Sequence, residues 1–333
     1  MKKNLILLII SMFALFCHPV MTRAQSEKVW FAVKDGMEKG DVMSKIENYT
    51  TTFLTACNEA ILKNKKPNFP ADLFSKNSRP QILAFWDTSP MYSMKEYISE
   101  KCVKKSSGGY QVRNIPVFFP GAPEENQEQE IVINYTADGK IDDVVISVTE
   151  TRYRELMEEY NTLEDFNRRE IIIGFIENFR TAYNRKDLKY IESVFSDQAL
   201  IITGKVVKVA QTKDVSINLL QGSEKIVYTT HTKKEYMTSL KNTFTRNKYI
   251  DIVFDDIEVM RHPKNEKLYG VTLKQKWGSS TYNDTGYLFL MVDFKDEDWP
   301  LIHVRTWQPD KVNNRELQKD ELFNLNDFNI QNL

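Results

Sequence analysis

Five residues constrain this chain most. Ile172, Phe175, Ile176, Phe179 and Tyr183 recur at i, i+3, i+4, i+7 and i+11, the spacing of one apolar stripe on a helix. Asn184-Arg185-Lys186-Asp187 breaks the pattern, and Asp187 is placed to cap a second short helix carrying Leu188, Ile191 and Phe195. Ser196-Asp197-Gln198 turns again, 199–203 is an apolar run, and Gly204 ends it. The chain closes with three strand-like runs, 268–277, 287–294 and 301–307, joined by turn-rich links that favour antiparallel pairing. Long helix, short helix, strand and late meander is the order of a cone-shaped α+β fold, a curved antiparallel sheet packed on helices. Such a fold makes a pocket but does not dictate a chemistry.

The N-terminus reads as a secretory signal peptide over residues 1–24. Lys2 and Lys3 form its positive start, 5–16 is an apolar run of twelve residues, and Thr22-Arg23-Ala24 offers small residues at −3 and −1. A bilayer span needs about 20 apolar residues, so this run is too short, and nothing further along replaces it. An alternative is lipid anchoring through Cys17, although Phe16 before it is bulky for a lipobox. The expected product is exported, periplasmic or extracellular, with no membrane span. Without Lys2, Lys3 and Arg23, the 45 basic residues become 42 against 46 acidic ones. That balance provides no basic field for nucleic acid. Two cysteines remain after the signal, Cys57 and Cys102. In an oxidising compartment they could form one disulfide, or stand as two separate buried thiols.

Along the mature chain, 25–40 reads as a polar lead-in. Ile46, Tyr49, Thr50, Phe53, Cys57, Ala60 and Ile61 give another helical stripe. Ser93-Met94-Lys95-Glu96 has the form of a capping box, which predicts a helix running to about residue 104. A strand over 110–119 and a hairpin turning at Asp138-Gly139 follow. Residues 149–166 are charged and helix-prone and read as a link. Thr232-Lys233-Lys234-Glu235 is a second capping box, opening a helix with Tyr236, Leu240 and Phe244 on one face. Lys95-Glu96-Tyr97 and Lys234-Glu235-Tyr236 stand at matching places, which predicts two diverged units, 41–150 and 165–310, with a tail over 311–333. The stretch 205–230 reads as irregular. The tail's Phe323, Leu325, Phe328 and Ile330 suit docking on a sheet face or on a partner.

The run from Phe175 to Asn184 followed by Asp187-Leu188 resembles the opening helix and turn of the nuclear transport factor 2-like (SnoaL-like) superfamily. Val194-Phe195-Ser196-Asp197-Gln198-Ala199 resembles that family's lead into its first strand, and Asp138-Gly139-Lys140-Ile141 its late hairpin. The closing segments around Trp277, Tyr287 and His303 to Asp310 resemble exported Bacteroidota-type proteins carrying this domain. The resemblance covers 165–310, and 41–150 more loosely as a degenerate copy of this or the related cystatin-like fold. It implies a cone-shaped pocket and, in members that are enzymes, an Asp, His or Tyr acting as acid or base on a small substrate.

No metal, nucleotide or nucleophile motif is present, so no cofactor is expected. Alternation along 301–307 places His303, Arg305 and Trp307 on one face, with Ile302, Val304 and Thr306 on the other. Tyr287, Phe289, Met291 and Asp293 likewise share a face. In one arrangement His303 and Arg305 face the cavity beside Asp293, as proton shuttle and anion clamp. In the other, Ile302 and Val304 face the helices, and His303, Arg305 and Trp307 lie outside against cross-strand neighbours or a partner subunit. The aliphatic character of Ile302 and Val304 favours the second. Tyr183, Trp277, Tyr287 and Trp307 are the candidate ligand-contacting aromatics. The sequence thus reads as an exported non-catalytic binding or interaction module. Its ligand would be a small molecule or an envelope protein, with homodimerisation through the sheet face as a further option. The alternative is a small-molecule lyase, isomerase or hydrolase using His303.

Overall fold

A computed structural model describes residues 27–105, 108–208, 224–297 and 299–328. Two sheets, each with helices on one face, enclose two separate apolar cores. The signal segment with Cys17, residues 209–223 and Ile330 lie outside the described residues.

The first unit begins before residue 41, with β1 (Trp30–Asp35) in the expected polar lead-in. Val29, Phe31 and Val33 are buried while Trp30 is exposed, a period-two alternation. Helix α1 (Asp41–Leu62) completes this edge strand. Its Glu47, Thr51 and Thr55 side chains accept from the backbone N–H groups of Val33, Phe31 and Val29 at 2.9, 3.0 and 3.1 Å. Those amides would otherwise be an open pairing edge. Helix α2 (Ser78–Thr88) follows.

The helix expected after Ser93 is instead a strand, β2 (Tyr97–Lys104). The Ser93 hydroxyl accepts from Lys95 N–H, only two residues on, so no helical turn opens. The Asn58 side chain of α1 holds both backbone groups of Ser93, at 2.9 and 3.0 Å. The segment then pairs parallel to β1 and antiparallel to β3 (Tyr110–Phe118). The hairpin of β4 (Glu128–Tyr135) and β5 (Ile141–Ile146) turns at Asp138-Gly139, with Gly139 at φ +83. Strand order is β1-β2-β3-β4-β5. Cys57 and Cys102 carry free thiols rather than a disulfide, both buried in this core.

Residues 149–166 hold a helix, α3 (Glu150–Glu158), and the start of α4 (Leu163–Asn184), whose N-terminus is capped by Thr162. Asp187 caps α5 (Leu188–Ser193) through Tyr190 N–H, as expected. Then come β6 (Phe195–Lys208), β7 (Glu224–His231) and α6 (Lys233–Arg246), opened by the full Thr232/Glu235 capping box. The meander β8 (Ile250–Arg261), β9 (Leu268–Ser279), β10 (Asn283–Asp293) and β11 (Leu301–Pro309) closes the unit. The order is β7-β6-β11-β10-β9-β8, with β6 and β11 parallel. Last strand beside first curls the sheet over α4 and α6 into a cone. The matching Lys-Glu-Tyr positions do not mark a repeat: one leads into a strand, the other into a helix.

Helix α4 is buried on both sides. Its Ile172, Phe175, Ile176, Phe179 and Tyr183 stripe enters the second core. The opposite side meets the first unit. Glu177, 1% exposed, accepts from Arg113 Nη1 and Nη2 at 3.1 and 2.5 Å and from Val148 N–H at 2.7 Å. Thr181 accepts from Ile146 N–H, and Arg180 donates to Gln129 and to the Ile252 carbonyl.

The tail docks on the outer sheet face, one of the two placements its apolar residues suit. Leu325 joins Leu268, Phe289, Met291 and Val304 in a third apolar cluster, flanked by Phe323 and Phe328. Gly270 makes room: a Cβ there would stand 2.7 Å from Leu325 Cγ. Gln308 ties the tail down, accepting from Phe323 N–H at 2.9 Å and donating to the Glu321 carbonyl at 3.0 Å.

Candidate functional site

A cavity of about 390 Å³ lies between α6 and the concave face of the second sheet. Helix α6 contributes Tyr236, Leu240 and Arg246, and the sheet contributes Thr203, Gln275, Trp277, Asp284, Arg305 and Trp307. Trp307 reaches it because β10 has a glycine alongside. A Cβ on Gly286 would lie 2.6 Å from the Trp307 ring, so only glycine lets the indole lie over that strand.

Arg305 is 6% exposed. Its guanidinium lies 4.9 Å from the Tyr236 ring centroid, within cation–π range. Its Nε and Nη1 are shut from solvent and have no hydrogen-bond partner. Behind Tyr236, the Tyr183 hydroxyl meets the Tyr236 hydroxyl at 2.5 Å, and its ring packs edge-on against Trp277 at 6.1 Å. Burial pushes Tyr183 well above the usual phenol range, and the nearby Arg305 charge opposes that rise. Tyr183 is therefore a neutral donor or acceptor at ordinary pH. At the mouth, burial raises the Asp284 carboxyl, against the 2.7 Å hydrogen bond from the Tyr282 hydroxyl.

The expected grouping of His303, Arg305 and Trp307 on one face is broken by a β-bulge. Val304 pairs with Met291 and Ile302 with Val292, leaving His303 unpaired between them. Ile302 enters the helix-side core while Val304 joins the tail-covered cluster. Arg305 and Trp307 consequently face the cavity. His303 turns to Asp293 at 3.1 Å, and neither is among the cavity-lining residues. Neither sequence arrangement holds whole: the anion-clamp candidate faces inward and the proton-shuttle candidate does not. Tyr287 also lies on the other face, 5.6 Å under the Lys274 ammonium. Of the four candidate aromatics, Trp277 and Trp307 line the cavity, Tyr183 backs it, and Tyr287 lies apart. Tyr236 was legible as part of the capped helix, whereas Arg246, Gln275 and Asp284 carried no sequence signal as lining residues.

A larger cleft of about 960 Å³ separates the two units. Its walls carry Glu128, Asp255, Glu258, Lys274 and Lys319, and its floor carries Glu177 and Arg180, already engaged between the units. Mixed, solvated charge of this kind suits an interdomain groove better than a small-ligand site. Among the described residues no group of three His, Cys, Asp or Glu could hold a metal ion, and no helix is long and apolar enough to cross a membrane.

No protein-family model matches the chain, and no curated protein gives a significant match. Solved structures similar to it include an NTF2-like protein from Cytophaga hutchinsonii, at 13% identity over 42% of this chain and 97% of that one, with a TM-score of 0.32. Another is Bd1075 of Bdellovibrio bacteriovorus, at 14% identity over 63% and 74%, TM-score 0.32. A third is an NTF2-like protein of unknown function from Shewanella oneidensis, at 15% identity over 41% and 94%, TM-score 0.27. Two of these are of the kind the sequence resembles. At such scores they add no weight about function, and the cone stands on its strand order and its cavity.

Proposed function

We propose that this is an exported binding protein whose second unit takes a small, partly planar organic molecule into the cone between α6 and β11. One observation carries the reading: a 390 Å³ cavity in which the rings of Tyr236, Trp277 and Trp307 stand beside polar groups that include Arg305, Gln275 and Asp284. Concave sites that combine aromatic walls with placed polar groups are the usual form of small-molecule pockets. Binding rather than catalysis is favoured because His303 and Asp293, the acid–base candidates, are paired with each other away from the cavity. Export rests on the signal pattern of residues 1–24.

The test is a thermal-shift screen of small aromatic and alicyclic compounds against the native chain and against Leu240→Trp, which fills the cavity. The reading expects stabilising hits with the native chain that vanish with Leu240→Trp. Hits retained by Leu240→Trp would place binding elsewhere.

A further inference from the structure

The cone contains a cation that the protein itself does not neutralise. Arg305 is more than nine-tenths buried and lines the cavity. Among the described residues no carboxylate stands within ion-pair distance of it. Its neighbours are an aromatic face, Tyr236, and a phenol, Tyr183, and two of its nitrogens have no acceptor. Nothing about the fold requires this. Arg113, Arg168 and Arg169 are similarly buried, and each has a carboxylate partner. Burying a guanidinium without a counter-charge is costly, and a site keeps such a group when an incoming ligand supplies the missing charge.

We propose that the ligand is a small organic carboxylate, its anionic end on Arg305 and its planar body against Trp307 and Trp277. This rests on the cone being the binding site. Three features favour a carboxylate. A planar guanidinium offers paired N–H donors that match a carboxylate's two oxygens. Among the described residues the only other cation lining the cavity is Arg246, at its exposed rim, so the depth holds one positive charge and suits a monoanion. The Tyr183–Tyr236 hydroxyl pair lies beside the guanidinium and adds neutral donors rather than further charge.

The experiment uses three probes with one planar body: naphthoate, its neutral amide naphthamide, and naphthyl phosphate. Affinities are measured by calorimetry on the native chain and on Arg305→Met, Arg305→Lys and Trp307→Ala. The native chain should prefer naphthoate over naphthamide by about tenfold or more, the scale of a charge-assisted hydrogen bond made out of water. Arg305→Met should erase that preference and Arg305→Lys should keep part of it. If Arg305→Met does not fold, the native chain and Arg305→Lys still decide the matter. Equal binding of acid and amide, both weakened by Trp307→Ala, would overturn the carboxylate while leaving the cone as the site. Tighter binding of naphthyl phosphate than of naphthoate would likewise overturn the ligand class. Binding of any probe that is indifferent to Trp307→Ala would overturn the cone itself.

Discussion

Ile302 and Val304 stand two residues apart on one strand and face opposite sides of the sheet. Ile302 packs with the helices and Val304 packs under the tail. Strict alternation forbids this, and the bulge at His303 permits it by placing one extra residue against Val292 and Met291. Arg305 and Trp307 thereby fall on the inward side with Ile302. His303 is left with Asp293, and both side chains are partly exposed.

His303→Ala should therefore cost about 1 kcal/mol, the scale of one hydrogen bond, and should leave probe binding in the cone within about twofold. Deleting residue 303 removes the extra residue and leaves Ile302 and Val304 as alternating neighbours, with Arg305 and Trp307 still inward, so it should keep probe binding as well. Chemical denaturation and calorimetry on the two variants check this.

The two units are joined through α4, and Glu177 is the centre of the join. Glu177→Ala leaves the Arg113 guanidinium and Val148 N–H without their acceptor. Removing one partner of a buried pair costs roughly 3–5 kcal/mol. Arg113→Met combined with Glu177→Leu should recover much of that loss, because it leaves no orphaned charge. Urea unfolding of the single and double variants measures the coupling.

Arg305→Met should raise stability by roughly 1 kcal/mol while weakening carboxylate binding, the signature of a group kept for function. A loss of stability of that size would mean that the guanidinium is a structural member of the Tyr183–Tyr236 cluster instead.

The thiols give a pH prediction. Burial pushes Cys102 up to about 11, with a backbone hydrogen bond from Gln111 opposing, and burial alone pushes Cys57 well above its usual range. The native state thus holds these protons where the unfolded chain, with thiols near pH 8.5, begins to release them. Stability from this source is complete below about pH 8.5 and falls as pH rises toward 11. Ellman's reagent at pH 8 should leave Cys57 and Cys102 unreacted in the native chain and titrate both once it is unfolded. Fast reaction in the native state would contradict the burial.

Parts of both units were legible because their signals are local. Asp187, Thr232 and Glu235 cap helices by hydrogen bonds within a few residues, and Asp138-Gly139 turns a hairpin by its own φ preference. The apolar tail residues Phe323, Leu325 and Phe328 announced a docking segment. What escaped depends on distant partners. Ser93 looks like a cap until Asn58, 35 residues away, holds its backbone extended. The one stripe of α4 is plain, but its second buried side is built from Glu177, Arg180 and Thr181, polar residues whose partners lie in another unit. The bulge at His303 has no marker in its own residues, so counting across it grouped His303 with Arg305 and Ile302 with Val304, pairs that the structure separates.

The central claim is that the cone between α6 and β11 binds a small ligand. The most direct measurement is fluorine NMR of the chain labelled with fluorotryptophan. Its five tryptophans report separately on the cone, the first unit and the exposed Trp299. On addition of naphthoate, the Trp277 and Trp307 resonances should move together in a saturable way, while Trp30, Trp86 and Trp299 stay in place. Saturable movement of Trp299, or of the first-unit tryptophans, with Trp277 and Trp307 unmoved would contradict it.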